Sequence, residues 1–348
     1  MTSSNPTVHT IPASVIFNEV AEEPGARKPD PILVAESITR RFGGLTAVDV
    51  DHLEVQRGAI TALIGPNGAG KTTLFNLITG FDRADSGTWS FDGLRLEGLP
   101  AHKIARIGMV RTFQLTKALA RLRVIDNMKL GATDQVGESF FRSLVMPLWR
   151  DQEAAITERA EELLGRFNLA HMRNEYAGEL SGGQRKLLEM ARALMSRPRL
   201  LMLDEPMAGV NPALAQTIMA HVQSLRDEGL TVVFVEHDMD VVREISDWVV
   251  VMAEGTLVSE GRHATIVSDQ RVIDAYLGAH HTTPLERAEQ DRQLADAAAA
   301  LRAEAGVAEG DEGSGAGESG DDAGPGGGAA ETTGVEQART AAGEDAPT

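Results

Sequence analysis

Residues 59–80, AITALIGPNGAGKTTLFNLITG, constrain this chain more than any other stretch. An unbroken apolar run stops at Gly65, and a run with helical character begins at Lys71 and stops at Gly80. The first reads as a strand buried on both faces, the second as a helix closed by glycine. A strand, a glycine-rich loop and a helix thus follow one another directly. The loop itself fits G-x-x-x-x-G-K-[ST] at Gly65, Gly70, Lys71 and Thr72. Glycine lets several backbone N–H groups turn toward one anion, and the helix that follows adds the positive end of its dipole. Lysine supplies a point charge for terminal phosphates, and the threonine hydroxyl can ligate a divalent cation. Gly65, Pro66, Asn67, Gly68, Ala69, Gly70, Lys71, Thr72 and Thr73 are therefore the candidate phosphate-binding residues. Such a loop alone leaves open which of several nucleotide chemistries it serves.

The remaining pattern is that of an α/β core with a helical insert. ILVAESITRRF and AVDVDHLEV read as half-buried strands, and MVRTFQ, RLLMLDE and TVVFVEHD as further strands. WVVVMAEGTLVSEG reads as a hairpin turning at Glu254-Gly255. From about 116 to 197 the pattern is mainly helical. Ile156, Ala160, Leu163, Leu164 and Phe167 share one helical face, and so do Leu187, Leu188, Ala191, Leu194 and Met195. Within this insert the aromatics of SFFRSLVMPLWR (139–150) are expected to pack inside the helical part. Residues 1–30 are expected to form a flexible arm, 31–280 the folded domain, 281–305 an exposed helix, and 306–348 a disordered acidic tail rich in Gly and Ala.

Charge and composition narrow the partners. The net charge is −18, of which −11 lies in residues 281–348, with 15 Asp and Glu against 4 Arg. This argues against nucleic acid as the main partner. The chain has no cysteine, which excludes disulfides, thiolate metal sites and cysteine nucleophiles. No apolar run approaches the length of a membrane span, and no secretory signal is visible at the N-terminus. A role at a membrane would then require docking onto other subunits.

Two further motifs carry chemistry. LLMLDE places Asp204 and Glu205 at the C-terminal end of a buried strand, the edge where open parallel sheets bind ligands. An aspartate there can hold Mg²⁺, and the glutamate can polarise a water in line with a terminal phosphate. LSGGQ sets Ser181, Gly182, Gly183 and Gln184 at the start of an amphipathic helix, as a second small anion site or simply as a serine cap.

In this order, phosphate loop, LSGGQ, LLMLDEP and VEHD resemble the motif set of the ATP-binding cassette (ABC) ATPases over residues 31–280. The resemblance implies a P-loop NTPase (RecA-like) core with an antiparallel β subdomain and an inserted α-helical subdomain. It implies ATP and Mg²⁺ as cofactors, and a nucleotide sandwiched between the phosphate loop of one subunit and the LSGGQ of another. By the same resemblance, Phe42 stacks on adenine. Gln114 senses Mg²⁺ and the attacking water, His237 is the switch histidine beside the γ-phosphate, and Glu205 and Lys71 complete the catalytic set. Thr72, Gln114 and Asp204 are the metal candidates. Asn211 stands where the family pattern has Asp.

RRFGGLTAVDVD, EGLPAHKIARIGMVRTFQ, DEPMAGVNP, VEHDMDVV and VIDAYLG further resemble the LivG-type ATPases of branched-chain amino acid importers. That resemblance implies four partners: a second ABC ATPase subunit (a paralogue or another copy of this chain), two transmembrane permease subunits and an extracytoplasmic solute-binding protein. It places the chain peripherally on the cytoplasmic face of the cell membrane. The alternatives are the ATPase of a urea or amide importer, that of a lipopolysaccharide-type exporter, a subunit that does not hydrolyse, and a soluble ABC protein without transport.

Overall fold

A computed structural model describes residues 16–112, 117–133 and 146–277 of this 348-residue chain. The chain divides into a unit Met1–Ala308 and a unit Glu309–Thr348, and every described residue belongs to the first. Ten strands are present among them: β1 (Pro31–Phe42), β2 (Leu45–Gln56), β3 (Ile60–Ile64), β4 (Ser86–Phe91), β5 (Leu94–Arg95), β6 (Met109–Arg111), β7 (Leu200–Asp204), β8 (Thr231–Val235), β9 (Trp248–Ala253) and β10 (Thr256–Gly261). They form two sheets. One is antiparallel in the order β2-β1-β4-β5. The other runs β10-β9-β3-β8-β7-β6 and is parallel throughout except for β10, which folds back on β9.

The apolar strands of the larger sheet alternate between two cores. On β7, Leu200 and Met202 face one cluster and Leu201 and Leu203 the other. On β8, Val233 and Val235 oppose Val232 and Phe234 in the same way. Both faces of the sheet are covered, so each strand needs an unbroken apolar run rather than an alternating one. The first core lies between the two sheets and takes in Leu74, Phe75, Leu77 and Ile78 of α1 (Lys71–Ile78). Gly80, at φ +73, closes α1 in the left-handed conformation that favours glycine.

The remaining helices are α2 (Ala101–Arg106), α3 (Val124–Lys129), α4 (Met146–Arg166), α5 (Gly182–Leu194), α6 (Pro212–Asp227), α7 (Met239–Ile245), α8 (His263–Ser268) and α9 (Gln270–Leu277). The helices α3, α4 and α5 pack on one another, and their apolar faces join the second core. Those faces include the expected Ala160, Leu163, Leu164 and Phe167 of the α4 stripe and Leu187, Leu188, Ala191 and Leu194 of α5. The segment 139–145 and the side chains of 146–149, on which the expected packing of those aromatics falls, lie outside the described residues.

The structure departs from the expectation of a flexible arm over residues 1–30. Phe17 is buried and stacks on Trp248 of β9 at a centroid distance of 4.7 Å. Val20 and Ala26 are buried as well. The Lys28 ammonium donates to Glu260 Oε1 of β10 at 2.8 Å, with both side chains almost wholly buried. A polar-rich composition conceals these few anchors, because three buried apolar residues and one ion pair leave no periodicity. Residues 1–15, and the helix and acidic tail expected beyond 280, lie outside the described residues.

Candidate nucleotide site

Parallel register gathers the site at one sheet edge. Leu63 of β3 pairs with Val235 of β8, and Asp204 of β7 pairs with the same Val235. The residues that follow these strands, from Gly65, from Glu205 and from Glu236, therefore emerge side by side at the strands' C-terminal ends.

The loop from Gly65 to Gly70 could not keep its course with other residues at its two ends. Gly65 has φ +146, and a Cβ there would lie 2.0 Å from the Met252 carbonyl oxygen. Gly70 has φ +99, and its Cβ would lie 2.3 Å from the Ala47 carbonyl oxygen. The β9–β10 turn braces the loop from behind, since Gly255 N–H donates to Ala69 O at 3.0 Å and Asp49 N–H to Gly255 O at 2.7 Å. Ala69 is buried, Pro66 and Gly70 are half-buried, and Asn67, Gly68 and Thr72 are exposed. Gly70 offers α1 no side-chain cap. The first-turn N–H groups, which lack partners within any helix, are left to an outside acceptor. The Lys71 ammonium folds back onto the loop and donates to Gly65 O at 2.6 Å and Pro66 O at 2.9 Å. Burial lowers its pKa, while the nearby charges of Glu205 and Asp204 work in the opposite direction. A half-buried cation, uncapped helix N–H groups and a loop whose two end glycines leave no room for a Cβ make a cradle for an anion.

Asp204 ends β7, where its Oδ2 accepts from Arg111 Nη2 at 2.6 Å. Arg111 Nη1 donates to Asn76 Oδ1 of α1, also at 2.6 Å. Arg111 thus joins the acidic strand end to the phosphate-loop helix, and only Oδ1 of Asp204 is left without a hydrogen bond among the described residues. Sequence reasoning passed over Arg111, whose only signal was its place at the end of an edge strand. Glu205 has φ +47, in the left-handed region that a side chain disfavours. Its N–H donates to Val235 O at 3.0 Å, and its carbonyl accepts from Lys186 Nζ at 2.8 Å and from Ala208 N at 3.2 Å.

His237 follows β8 with its ring more than half exposed, 3.9 Å from Glu236 Oε2 through Nδ1. Glu236 is the second residue that sequence reasoning missed. It is buried, and Oε1 accepts from Met207 N at 2.8 Å, which ties the segment after Asp204-Glu205 to the histidine. Burial pushes its carboxyl pKa up. A glutamate directly after four apolar strand residues was the available clue, since a charge there must find partners.

Ser181 and Gln184 form a reciprocal capping box on α5, Ser181 Oγ accepting from Gln184 N at 3.2 Å and Ser181 N donating to Gln184 Oε1 at 2.9 Å. Ser181 and Gly182 are exposed and Gly183 is buried against Leu214. The serine-cap reading of this motif is the one the geometry shows, and no hydrogen bond joins Ser181 or Gln184 to the phosphate loop among the described residues. Phe42 ends β1, about half exposed, with the Arg40 guanidinium 4.6 Å over one ring face. Asn211 caps α6 by accepting from Leu214 N at 2.9 Å, with Pro212 next in line. Its amide oxygen does what an aspartate carboxylate would do at that cap. Gln114 lies outside the described residues; the strand leading to it reaches Thr112, whose N–H donates to Met202 O.

The ABC transporter family model matches residues 48–208. The chain is 40% identical over 248 residues to a probable branched-chain amino acid transport ATP-binding protein, LivG, of Archaeoglobus fulgidus, covering 71% of this chain and 96% of the relative. It is 42% identical over 250 residues to the high-affinity branched-chain amino acid transport ATP-binding protein BraF of Pseudomonas aeruginosa, covering 71% and 98%. A solved ATP-binding cassette of an ABC transporter in its ADP conformation superposes with a TM-score of 0.62 at 38% identity, covering 71% of this chain and 99% of that one. A nucleotide-free cassette superposes equally well, at 37% identity with 71% and 98% covered. The chain therefore belongs to the ATP-binding cassette ATPases of ABC transporters, and it binds and hydrolyses ATP. Within that family it is a homologue of LivG and BraF.

Proposed function

We propose that the chain energises an importer of branched-chain amino acids or a related small solute, from the cytoplasmic face of the cell membrane. The observation that carries this reading is the likeness to LivG and BraF, which runs along nearly their whole length rather than along the motifs alone. No helix among the described residues is long and apolar enough to cross a membrane. Membrane-spanning subunits would accordingly be separate chains, together with a solute-binding protein.

The separation of the exposed Ser181–Gly182 turn from the phosphate loop supports a shared-site arrangement, in which Ser181–Gln184 of one subunit cover the nucleotide held by Gly65–Thr73 of another. The second subunit is a paralogue or another copy of this chain. In that arrangement Phe42 offers its free ring face to adenine, and Lys71 exchanges the loop carbonyls for phosphate oxygens. Glu205 orients and polarises the attacking water, and His237 holds the line of attack with Glu236 behind it. Among the described residues no three acidic or histidine side chains cluster as a metal cage. Mg²⁺ would instead be held by the Thr72 hydroxyl and the remaining oxygen of Asp204, with Gln114, and shared with the substrate phosphates. When bound it would offset charge on those phosphates.

Glu205→Gln tests the chemistry. It is expected to keep ATP binding and to lower kcat by a factor of about 10² or more, the range of a lost general base. Undiminished hydrolysis would remove Glu205 from that role. Uptake of labelled leucine, isoleucine and valine by cells carrying wild-type or Glu205→Gln protein tests the transport reading. Equal uptake would reject these solutes, and purification of the chain without permease subunits would reject the importer.

A further inference from the structure

Lys186 lies on α5, two residues past the capping box of Ser181 and Gln184. Its side chain is half-buried and runs back to the strand edge, where Nζ donates to the main-chain carbonyl of Glu205 at 2.8 Å. Burial lowers the pKa of the ammonium, while the charges of Glu236, Glu189 and Glu205 act in the opposite direction. Lys186, Asp204, Glu205 and Gly182 line one cavity of about 310 Å³ between α5 and the end of β7. The carbonyl it holds belongs to a residue at φ +47, a conformation a glutamate does not keep unless its surroundings impose it. Among the described residues, three hydrogen bonds hold its backbone there. Glu205 N–H is fixed to Val235 O of the sheet, and its carbonyl takes Ala208 N–H and the Lys186 ammonium. The first belongs to the sheet and the second to the adjoining turn. Only the third comes from the helix that carries Ser181–Gln184.

We propose that Lys186 is a positioning residue that holds the backbone of Glu205 in its left-handed conformation, and so ties the aim of this carboxylate to the placement of α5. The inference rests on the reading of Glu205 as the group that polarises the attacking water. Its consequence is directional. A shift of α5 when Ser181–Gln184 engage a nucleotide on another subunit is transmitted through the Lys186 stem to Glu205, which faces this chain's own nucleotide. One side chain thereby links two sites that share no hydrogen bond directly. The stem is the mechanical element and the charge-assisted bond its point of attachment.

The test uses the full chain. Lys186→Met keeps length and apolar stem and removes the donor, whereas Lys186→Arg keeps a charged donor. In the nucleotide-free protein, hydrogen exchange of the Ala208 amide, which closes on the same carbonyl, is expected to speed up in Lys186→Met and to stay close to wild type in Lys186→Arg. In steady-state hydrolysis Lys186→Met is expected to lower kcat by about tenfold, the size of one charge-assisted bond, with KM for ATP changed less than about twofold. Lys186→Arg should recover most of kcat. Adding Lys186→Met to Glu205→Gln should cause no further loss, since both act through one group. Unchanged Ala208 exchange, unchanged kcat, or an additive loss on Glu205→Gln would each overturn the proposal. If Lys186→Met melts early, Lys186→Gln is judged by the same readings. A Glu205→Gln protein with full hydrolysis would sink the role of Glu205, while the exchange measurement would still decide whether Lys186 anchors its backbone.

Discussion

At the scale of single residues, the phosphate loop separates two reasons for glycine that a motif merges. Gly68 has φ +81 and open space where a Cβ would stand. Gly70 has φ +99 and the Ala47 carbonyl oxygen 2.3 Å from that position. Alanine at position 68 has only the left-handed backbone cost to meet, about 1–2 kcal/mol. Alanine at position 70 has that cost and a clash with backbone atoms, which cannot rotate away as a side-chain tip would. Gly70→Ala is therefore expected to lose more thermal stability than Gly68→Ala and to bind ATP at least about tenfold more weakly, because the loop moves off its own N–H groups. Thermal unfolding and titration with ATP on both variants check the order, and equal losses would show that the close approach at Ala47 is not rigid.

At the scale of elements, α9 shows how a late helix is fastened. Asp269 precedes it, accepting from Arg271 N at 2.9 Å and from Ser259 Oγ of β10 at 2.6 Å, while the Arg271 guanidinium pairs with its carboxylate at 2.7 Å. The Arg271 side-chain bond, together with the Ser259 hydroxyl and the Arg271 amide, holds the Asp269 pKa at about 2, against an ordinary value of 3.8. A carboxyl with a lowered folded-state pKa stabilises the fold above its unfolded value, and that contribution fades as pH falls from 3.8 through about 2. Asp269→Asn is expected to cost about 1 kcal/mol at pH 7. The gap from wild type should narrow between pH 4 and pH 2, which urea unfolding across that range would measure. A gap independent of pH would assign the effect to capping geometry rather than charge. Elements of this kind were legible in the sequence to different degrees. The run from β3 through the loop to α1 could be read because each part is local: apolar run, glycines, then helix formers. Arg111, Lys186 and Glu236 could not, because their partners lie 93, 19 and 29 residues away and only the sheet order and the packing of α5 bring them together.

At the scale of the molecule, the segment from Phe17 to Asp30 is the place where composition misled, and it is also where the two sheets are joined from outside. Lys28 N–H donates to Glu54 Oε2 of β2 in the antiparallel sheet, and its ammonium binds Glu260 of β10 in the parallel one. Phe17 stacks on Trp248, and the Lys28 ammonium lies 4.8 Å from that same ring. Burial raises the Glu260 pKa, while the Lys28 charge and hydrogen bond oppose the rise. A buried pair is weak evidence for net stability, but removing one member leaves an uncompensated charge. Lys28→Met is accordingly expected to cost about 3–5 kcal/mol. Adding Glu260→Gln should recover much of it, since the amide keeps an oxygen for Ala26 N–H, which now donates to Glu260 Oε1 at 2.7 Å. Denaturant unfolding of the single and double variants decides the point: a loss below about 1 kcal/mol in Lys28→Met, or no recovery in the double variant, would mean that Phe17 and its apolar neighbours hold the segment without the ion pair.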